Sequence, residues 1–308
     1  MIKRKRKKII IVLGPTASGK SAIALELAKK FNGFLISADS RQVYRGMDIG
    51  TNKDKGVWKN SKFFVEGVEE FLIDAVSPNQ DFTVGDWLER TKQVISEIKG
   101  KLPIIVGGTG LYISALINNF QLPTGKNEKL RAEFEKLLAK KGIGALIDEI
   151  KKIDPDIEQK IDSKNPRRVL RALEICFSTG KPLAREKGKC EYDILQIGVE
   201  LAREKLYDKI NRRVDEMFAS GLVQEVKSLI VAGYHCDLPA MTGIGYRQVC
   251  QFLNHKISGA EATELVKRDT RRYAKRQMTW FKREKTIHWV ENQNKAIQLV
   301  ETFINGKP

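Results

Sequence analysis

The chain has 308 residues, of which 42% are hydrophobic and 30% are charged, a composition typical of globular proteins. No apolar run approaches the roughly 20 residues that a bilayer-spanning helix needs, which excludes an integral membrane protein and favours a cytoplasmic one. The four cysteines and three histidines lack the spacing of zinc ligands, so we expect four reduced thiols. The net charge of +17 indicates a polyanionic partner, unless the charge serves only solubility.

The first predicted elements surround a glycine-rich loop. Ile9–Leu13 is predicted to be a strand, and the apolar spacing over Ser21–Phe31 predicts a helix. The segment between them fits G-x-x-x-x-G-K-[ST], in which backbone N–H groups curl around phosphate oxygens at a helix N-terminus. Lys20 would add a positive charge, and Ser21 a hydroxyl ligand for Mg²⁺. The predicted diphosphate-binding residues are Gly14, Pro15, Thr16, Ala17, Ser18, Gly19, Lys20 and Ser21.

A second predicted strand, Phe34–Ala38, leads directly into Asp39. In a doubly wound sheet, ligands bind at the carboxyl ends of the strands, so Asp39 is expected to face the bound phosphate ester. An ionised carboxylate in that position can accept a proton from an attacking nucleophile. The alternative role is structural, because Asp-Ser begins many turns and caps many helices.

Strand and helix patterns continue to alternate after Asp39. Phe63–Val68 and Pro103–Val106 are predicted strands, and Val84–Lys99 is a predicted amphipathic helix. The strand Pro103–Val106 ends at a second glycine-rich turn, which places Thr109 at the same sheet edge, although its glycines would also permit close strand–helix packing. The alternation predicts an α/β fold with a parallel sheet flanked by helices, like that of the P-loop NTPases.

Two later apolar runs, Ile194–Leu201 and Thr286–Val290, are predicted to return to this sheet as strands. The polypeptide before them carries helical spacing over Leu130–Glu149, which predicts a small helical insertion domain, either a mobile flap or a rigid addition. The predicted division is therefore a core of residues 1–119 and 166–308 and an insertion of residues 120–165. The C-terminal part is helical and its positive charge is clustered over Lys267–Arg283, as expected for a nucleic-acid surface.

Six segments, in this order, together resemble the bacterial tRNA dimethylallyltransferases (tRNA isopentenyltransferases) that lack a zinc finger. They are Gly14–Ser21, Asp39–Thr51, Gly107–Tyr112, Asn165–Glu174, Pro239–Gln248 and Ala274–Phe281. The resemblance implies transfer of a dimethylallyl group from dimethylallyl diphosphate to N6 of the adenosine adjacent (3′) to the anticodon, with release of pyrophosphate. It implies a monomer that binds Mg²⁺, dimethylallyl diphosphate and the tRNA anticodon stem-loop, and no membrane.

The resemblance also implies roles for individual residues. Asp39 would accept the proton or hydrogen bond of N6, and Thr109 would assist at the bridging oxygen. Lys20, Arg203 and Ser21 with Mg²⁺ would neutralise the departing pyrophosphate. The implied tRNA-contacting residues are Asp39, Ser40, Arg41, Gln42, Thr109, Arg131, Arg167, Arg168, Arg171, Gly245, Tyr246, Arg247, Lys275, Arg276, Gln277 and Trp280. The chain departs from the family at Glu69-Glu70-Phe71, where many members have Pro-His-His, and also at Thr242 and Lys282.

Three other functions remain to be weighed. An isopentenyltransferase acting on free adenine nucleotides would share the chemistry, but the basic C-terminal helices favour a polymer. A small-molecule kinase would share the glycine-rich loop, but the sequence lacks an evident arginine-rich lid and has the Thr109 turn. A non-enzymatic RNA-binding module would not need the combination of Lys20, Ser21, Asp39 and Thr109.

Overall fold

The chain forms two compact units. The computed structural model describes residues 6–121, 128–183 and 186–306. The larger unit consists of Met1–Ile117 and Cys190–Pro308, and the smaller unit is Asn118–Lys189. Among the described residues, no helix combines the length and the apolar character needed to cross a membrane.

Strands and helices alternate in the larger unit. Before the smaller unit they are β1 (Lys7–Leu13), α1 (Lys20–Lys30), β2 (Gly33–Ala38), β3 (Val57–Lys59), β4 (Lys62–Val65), β5 (Val68–Phe71), α2 (Val84–Glu97), β6 (Leu102–Gly107) and α3 (Gly110–Ile117). The smaller unit contains β7 (Phe120–Gln121), α4 (Glu128–Lys151), α5 (Ile157–Lys160), α6 (Pro166–Thr179) and β8 (Glu186–Lys187). The larger unit resumes with β9 (Tyr192–Val199), α7 (Arg203–Ala219), α8 (Leu222–Val231), α9 (Tyr246–Leu253), α10 (Gly259–Phe281), β10 (Ile287–Val290) and α11 (Gln293–Asn305).

The larger unit is built on an eight-stranded sheet in the order β10-β9-β1-β6-β2-β5-β4-β3. All neighbouring strands from β10 to β5 pair in parallel, whereas β4 pairs in antiparallel orientation with both β5 and β3. Parallel strands are covered on both faces, which explains why Ile9–Leu13 is a continuous apolar run that is fully buried. The predicted α/β fold with a largely parallel sheet is confirmed.

One predicted strand, Phe63–Val68, is instead a hairpin. Val65 at the end of β4 pairs with Val68 at the start of β5 in antiparallel register. The two residues between them, Glu66 and Gly67, have φ angles of +47° and +85°. Positive φ at both positions is the signature of the tight turns that join antiparallel strands, so a run that reads as one strand nevertheless reverses direction.

The smaller unit has its own apolar core, in which α4 and α6 pack around residues such as Phe134, Leu146 and Leu173. Within α4, Gly142 has non-helical angles (φ 77°, ψ 179°), so the long helix is kinked there. The predicted insertion ended at residue 165, but residues 166–189 also belong to this unit. The difference arises because α6 supplies half of the helical core that α4 needs to bury its apolar face.

The expectation of four reduced thiols is wrong for one pair. Cys236 and Cys250 form a disulfide, with their Cα atoms 6.0 Å apart. Their positions differ by 14 in the sequence, and the folding of the loop before α9 against that helix brings them together. No short spacing motif marks such a pair. Cys176 and Cys190 are free thiols, the former buried.

Candidate active site

The carboxyl ends of three adjacent strands meet at one edge of the sheet. β6 lies between β1 and β2, and its last residue, Gly107, is in register with both Leu13 and Ala38. A Cβ atom on Gly107 would lie 2.2 Å from the Ala38 carbonyl oxygen, so only glycine permits this approach. The turns that carry the glycine-rich loop, Thr109 and Asp39 are therefore brought together.

These turns enclose a cavity of about 230 Å³. Its charged side chains are Lys20, Asp39, Asp54, Glu70 and Arg213, and the Ser21 hydroxyl lies beside them. The glycine-rich loop forms one wall and the Asp39 turn faces it. A nucleophile approaching Asp39 would thus arrive opposite any ligand held by the loop.

The glycine-rich loop leaves an open helix N-terminus. Gly19 begins α1 with a φ of +90°, and neither a side-chain cap nor an acidic residue occupies the first turn of the helix. The N–H groups of that turn therefore remain available to an anion. The Ser18 hydroxyl is buried and has no hydrogen-bond partner in the described part of the chain. An arriving phosphate can satisfy donors that the protein leaves unused.

Lys20 lies among charges of both signs. Desolvation lowers its pKa to about 8, although Asp39 and Asp54 favour the charged form, and Arg213 disfavours it. Its ammonium nitrogen lies 3.4 Å from the Pro15 carbonyl oxygen. The negative charge of a bound diphosphate would hold Lys20 protonated at neutral pH.

Asp39 and Thr109 are fixed by the turns on which they lie. Asp39 Oδ1 accepts hydrogen bonds from the backbone N–H groups of Arg41 and Gln42, at 2.8 and 3.3 Å. Thr109 Oγ1 accepts one from the N–H of Ser40 at 3.1 Å. Asp39 therefore does shape its turn, as the alternative role required. In the described ranges its Oδ2 atom accepts no hydrogen bond, which leaves a carboxylate oxygen for a substrate.

Gln277 holds the two glycine-rich turns together. It was expected to contact tRNA, but its side chain is only 6% exposed. Its Oε1 atom accepts a hydrogen bond from the Thr16 N–H at 2.9 Å, and its Nε2 atom donates one to the Gly108 carbonyl oxygen at 2.9 Å. A glutamine on α10 thus ties the phosphate loop to the turn that carries Thr109.

Two other residues expected to contact tRNA make structural contacts beside Asp39. Arg41 Nη1 donates hydrogen bonds to the carbonyl oxygens of Pro239 and Ala240, at 2.7 and 3.1 Å. Gln42 accepts a hydrogen bond from the Ser37 hydroxyl and donates to the backbone near residue 52. Both side chains remain partly exposed, so they brace the turn and still border the cavity mouth.

The segment that begins at Gly245 supports a neighbouring loop. Tyr246 is 1% exposed and donates its hydroxyl proton to Glu225 at 2.6 Å, so it presents nothing to a substrate. Glu225 also accepts hydrogen bonds from the N–H groups of Asp48, Ile49 and Gly50. Of the three residues predicted here, the buried Gly245 begins α9, and only Arg247 is exposed, forming an ion pair with Asp269 at 2.9 Å.

The outer face of α10 is basic and exposed. Arg272, Lys275 and Arg276 have side chains that reach the surface. Trp280 is also exposed, and its ring lies beside Gly110 at the start of α3. Cationic and aromatic side chains on one helix are suited to phosphates and unstacked bases.

In the smaller unit, the four arginines expected to contact tRNA lie on its two long helices. Arg131 and Arg171 both bind the buried carboxylate of Glu174, at 3.2 and 3.0 Å. Arg167 and Arg168 are exposed in the first turn of α6. Arg131 and Arg171 thus neutralise a buried acid, while Arg167 and Arg168 are available at the surface.

Comparison with known proteins assigns the chain. The family model described as IPP transferase matches residues 42–284. The chain belongs to the IPP transferase family. A protein of Geobacter sulfurreducens named tRNA dimethylallyltransferase is 45% identical over 93% of this chain and 92% of its own length.

Solved structures agree with this assignment. The crystal structure of full-length tRNA isopentenylpyrophosphate transferase from Bacillus halodurans is 41% identical, has a TM-score of 0.70 and covers 98% of this chain and 97% of that one. A eukaryotic dimethylallyltransferase acting on tRNA is 28% identical with a TM-score of 0.82, over 98% of this chain and 80% of its own.

In this IPP transferase, Arg213 occupies the place that was expected for Arg203. Arg203 was expected at the diphosphate, but it lines a separate groove of about 810 Å³ and packs over the Tyr207 ring. Arg213 borders the phosphate-loop cavity instead, where its Nη1 atom donates a hydrogen bond to Thr16 Oγ1 at 3.0 Å. On α7, Arg213 rather than Arg203 therefore lines the cavity beside the phosphate loop.

Three further residues at the site were not assigned to it by the sequence analysis, which named Glu70 only as a departure from the family pattern. Asp54 and Glu70 line the cavity, and Tyr273 on α10 forms a hydrogen bond with Thr109. Burial, with a smaller contribution from Asp39, raises the pKa of Tyr273, so its phenol stays neutral. Tyr273 lies in the basic segment Lys267–Arg283. Its aromatic side chain among arginines was the only feature of the sequence that could have marked it as a site residue.

Glu70 should make the stability of the ligand-free protein depend on pH. Burial, followed by the Asp54 carboxylate, raises its pKa to about 8 from an ordinary value near 4.5. The folded protein therefore retains a proton that the unfolded chain loses, so the free energy of unfolding should fall as pH rises from about 5 to 8. Glu70→Gln should remove this fall and be about 2 to 4 kcal/mol more stable than the natural chain at pH 9.

Urea denaturation of both proteins at pH 5.5 and pH 9 measures this difference. At pH 5.5 the unfolded chain has already lost the Glu70 proton, so the natural chain should be less stable than the variant by about 1.4 kcal/mol, a smaller difference than at pH 9. A constant difference at both pH values would contradict the predicted proton retention.

Proposed function

We propose that this chain is a tRNA dimethylallyltransferase that transfers the dimethylallyl group of dimethylallyl diphosphate to N6 of the adenosine adjacent (3′) to the anticodon. The observation that carries the proposal is that Asp39 lines one cavity with Lys20 and Ser21 of the phosphate loop, while the Thr109 hydroxyl accepts a hydrogen bond from the adjoining Ser40 N–H. Asp39, which can accept the proton of a nucleophile, thus faces the phosphate loop, which can bind the leaving group. We also propose that the enzyme acts as a monomer in the cytoplasm.

The diphosphate is bound by the glycine-rich loop as a leaving group. The N–H groups at the start of α1 bind its oxygens, and Lys20 and Arg213 supply positive charge. Departure of pyrophosphate from an allylic carbon is limited by how well the developing charge is stabilised. Arg213 is positioned before the reaction, because Thr16 accepts its hydrogen bond.

Bond making and bond breaking occur at the same allylic carbon. The N6 lone pair of the adenosine attacks C1 of the dimethylallyl group, and the electrons of the C1–O bond leave with pyrophosphate. Asp39 Oδ2 accepts the N6 proton, and the Thr109 hydroxyl donates to the bridging oxygen. Tyr273 orients that hydroxyl through its hydrogen bond. The prenyl group enters the amine, and the proton is left on the carboxylate.

Magnesium fits the residues of the cavity. Ser21 offers a hydroxyl at the position where glycine-rich loops of this pattern bind the ion. Glu70 has a buried carboxylate oxygen without a partner in the described part of the chain. Mg²⁺ bound with the diphosphate would neutralise part of the leaving-group charge.

A polymeric acceptor is favoured over a free nucleotide. The basic outer face of α10 adjoins the turns that carry Asp39 and Thr109, and Tyr273 connects the helix to Thr109. A free nucleotide would need only the cavity. In tRNA the target adenine must leave its base stack to reach Asp39, which is the usual requirement for chemistry on a base.

Transfer of label tests the proposal directly. The purified protein is incubated with Mg²⁺, radiolabelled dimethylallyl diphosphate and unmodified tRNA with an adenosine 3′ to its anticodon, and in parallel with AMP, ADP or ATP. Label is expected in tRNA alone. Label in the free nucleotides would favour the nucleotide isopentenyltransferase, and consumption of ATP without label transfer would favour a kinase.

Neutralising the outer face of α10 should weaken tRNA binding. In Arg272→Gln/Arg276→Gln, the loss of two phosphate contacts should flatten the slope of log K against log salt by about 1.4 to 1.8. Glutamine preserves the helix propensity. Filter binding at several salt concentrations measures the slope. The matched control, Lys99→Gln/Lys101→Gln, removes the same charge at exposed positions beside the amino end of β6 and should leave the slope unchanged. Equal slopes for the two double variants would contradict the assignment.

A further inference from the structure

Two acidic residues of the active site have no role in the proton transfer. Asp54 and Glu70 line the same cavity as Lys20 and Ser21. Glu70 lies on β5, beside Leu35 of β2, and Asp54 lies in the connection before β3. Two carboxyl groups next to an anion-binding loop would weaken anion binding by electrostatic repulsion, unless a cation binds together with the anion.

Glu70 is a buried carboxyl group with an oxygen atom that makes no hydrogen bond within the described part of the chain. Its side chain is 6% exposed, and its Oε2 atom has no hydrogen-bond partner among the described residues. Burying an unpaired carboxylate costs several kcal/mol, so without a cation the group keeps its proton, and a metal ion can take the place of that proton. The neighbouring Glu69, whose side chain alternates to the other face of the strand, does have a cation: Lys62 at 2.9 Å.

Asp54, in contrast, is already linked to the residue expected to bind magnesium. It forms a hydrogen bond with the Ser21 hydroxyl and is stabilised electrostatically by Lys20 and Arg213. Ser21 is therefore oriented by a carboxylate behind it. Partners of this kind fix the direction of a ligand and increase its affinity for a metal.

The charge balance of the cavity points to a cation that arrives with the ligand. The described lining contains two cationic side chains, Lys20 and Arg213, and three carboxylates, Asp39, Asp54 and Glu70. A diphosphate adds several more negative charges. Within the described ranges, no three His, Cys, Asp or Glu side chains converge closely enough to hold a metal without another ligand. The metal must then depend on the diphosphate for part of its coordination.

We propose that Asp54 and Glu70 anchor the magnesium ion that enters with the diphosphate, Asp54 by orienting Ser21 and Glu70 by binding the metal's water shell. Mg²⁺ retains several waters and takes few protein ligands, and it commonly bridges carboxylates and substrate phosphates. The inference rests on the proposed function, because it requires a diphosphate in the loop. It predicts that metal and diphosphate bind cooperatively and that Glu70 is needed for the cooperativity.

Calorimetric titration of the full chain with inorganic pyrophosphate tests the inference. The dissociation constant is measured at one pH with about 5 mM Mg²⁺ added, a concentration that saturates weak sites, and again in metal-free buffer. In the natural chain Mg²⁺ should tighten pyrophosphate binding. In Glu70→Gln and in Asp54→Asn this tightening should shrink about 10- to 100-fold. Metal-free binding should be unchanged in Glu70→Gln, because the Glu70 carboxyl group is protonated without a cation, and unchanged or stronger in Asp54→Asn, which removes a negative charge.

The control is Glu69→Gln, which makes the same substitution at the adjacent residue on the opposite face. It should keep the full effect of Mg²⁺. An undiminished Mg²⁺ effect in both Glu70→Gln and Asp54→Asn, or an equal loss in Glu69→Gln, would overturn the inference and leave the proposed function standing. If the natural chain bound no pyrophosphate under either condition, the diphosphate site itself would be refuted, and with it both proposals.

Discussion

Asp39→Asn is expected to lower the turnover of tRNA prenylation by about 10²- to 10⁴-fold, the usual contribution of a general base. The side-chain amide keeps an acceptor oxygen for the N–H groups of Arg41 and Gln42, so the turn should persist. What is lost is the capacity of the second oxygen to accept a proton from N6. The affinity for tRNA should remain within about twofold, since the substitution removes no phosphate contact.

Single-turnover kinetics with saturating dimethylallyl diphosphate, together with direct tRNA binding, separates these two effects. Asp39→Ala serves as the comparison, because it removes the turn acceptor as well as the base. It should lower turnover at least as much and should also reduce thermal stability. If tRNA affinity in Asp39→Asn fell in parallel with turnover, Asp39 would be a binding residue rather than the base.

Gly107→Ala is expected to destabilise the larger unit by about 4 to 6 kcal/mol, at the severe end of the range for single substitutions. A Cβ atom there would lie 2.2 Å from the carbonyl oxygen and 2.5 Å from the carbonyl carbon of Ala38. Both are backbone atoms of a central strand, so no side-chain rotation relieves the clash. β2 and β6 would have to separate at the edge that carries Asp39 and Thr109.

Thermal unfolding measures the loss, and turnover at a temperature where the variant is still folded should also be strongly reduced. Gly144→Ala is the matched control, because a Cβ atom at that position would meet no neighbouring atom within 4 Å and the residue lies within helix α4. That substitution should be neutral or slightly stabilising. A Gly107→Ala protein as stable as the control would contradict the close packing of the two strands.

Local motifs and strand periodicity were sufficient to predict half of the active site. The phosphate loop could be predicted because all its donors lie within a single contiguous segment, Gly14–Ser21. Asp39 and Thr109 could be predicted because each follows a strand of a parallel sheet, whose carboxyl ends share an edge. These inferences need only the element type and the chain direction.

The remaining residues depend on tertiary packing that a sequence pattern does not contain. Arg203 and Arg213 lie on the same helix, about 15 Å apart along its axis, and only packing decides which one meets the loop. Gln277 is polar and directly follows the exposed Lys275 and Arg276, so its hydropathy gave no sign of burial. Glu70 was hidden because the tight turn at Glu66 and Gly67 converts one apparent strand into two.

The two faces of α10 have a consequence for how the enzyme uses its substrate. The residues that can hold RNA, such as Lys275 and Arg276, alternate within one rigid rod with Gln277, whose amide clamps the phosphate loop to the Thr109 turn. A shift of α10 on RNA binding would therefore move Gln277 and, through its two hydrogen bonds, the distance between the phosphate loop and the Thr109 turn. A tRNA bound in a different position would misalign the two reactants and slow the reaction. RNAs that bind with equal affinity could therefore differ in turnover.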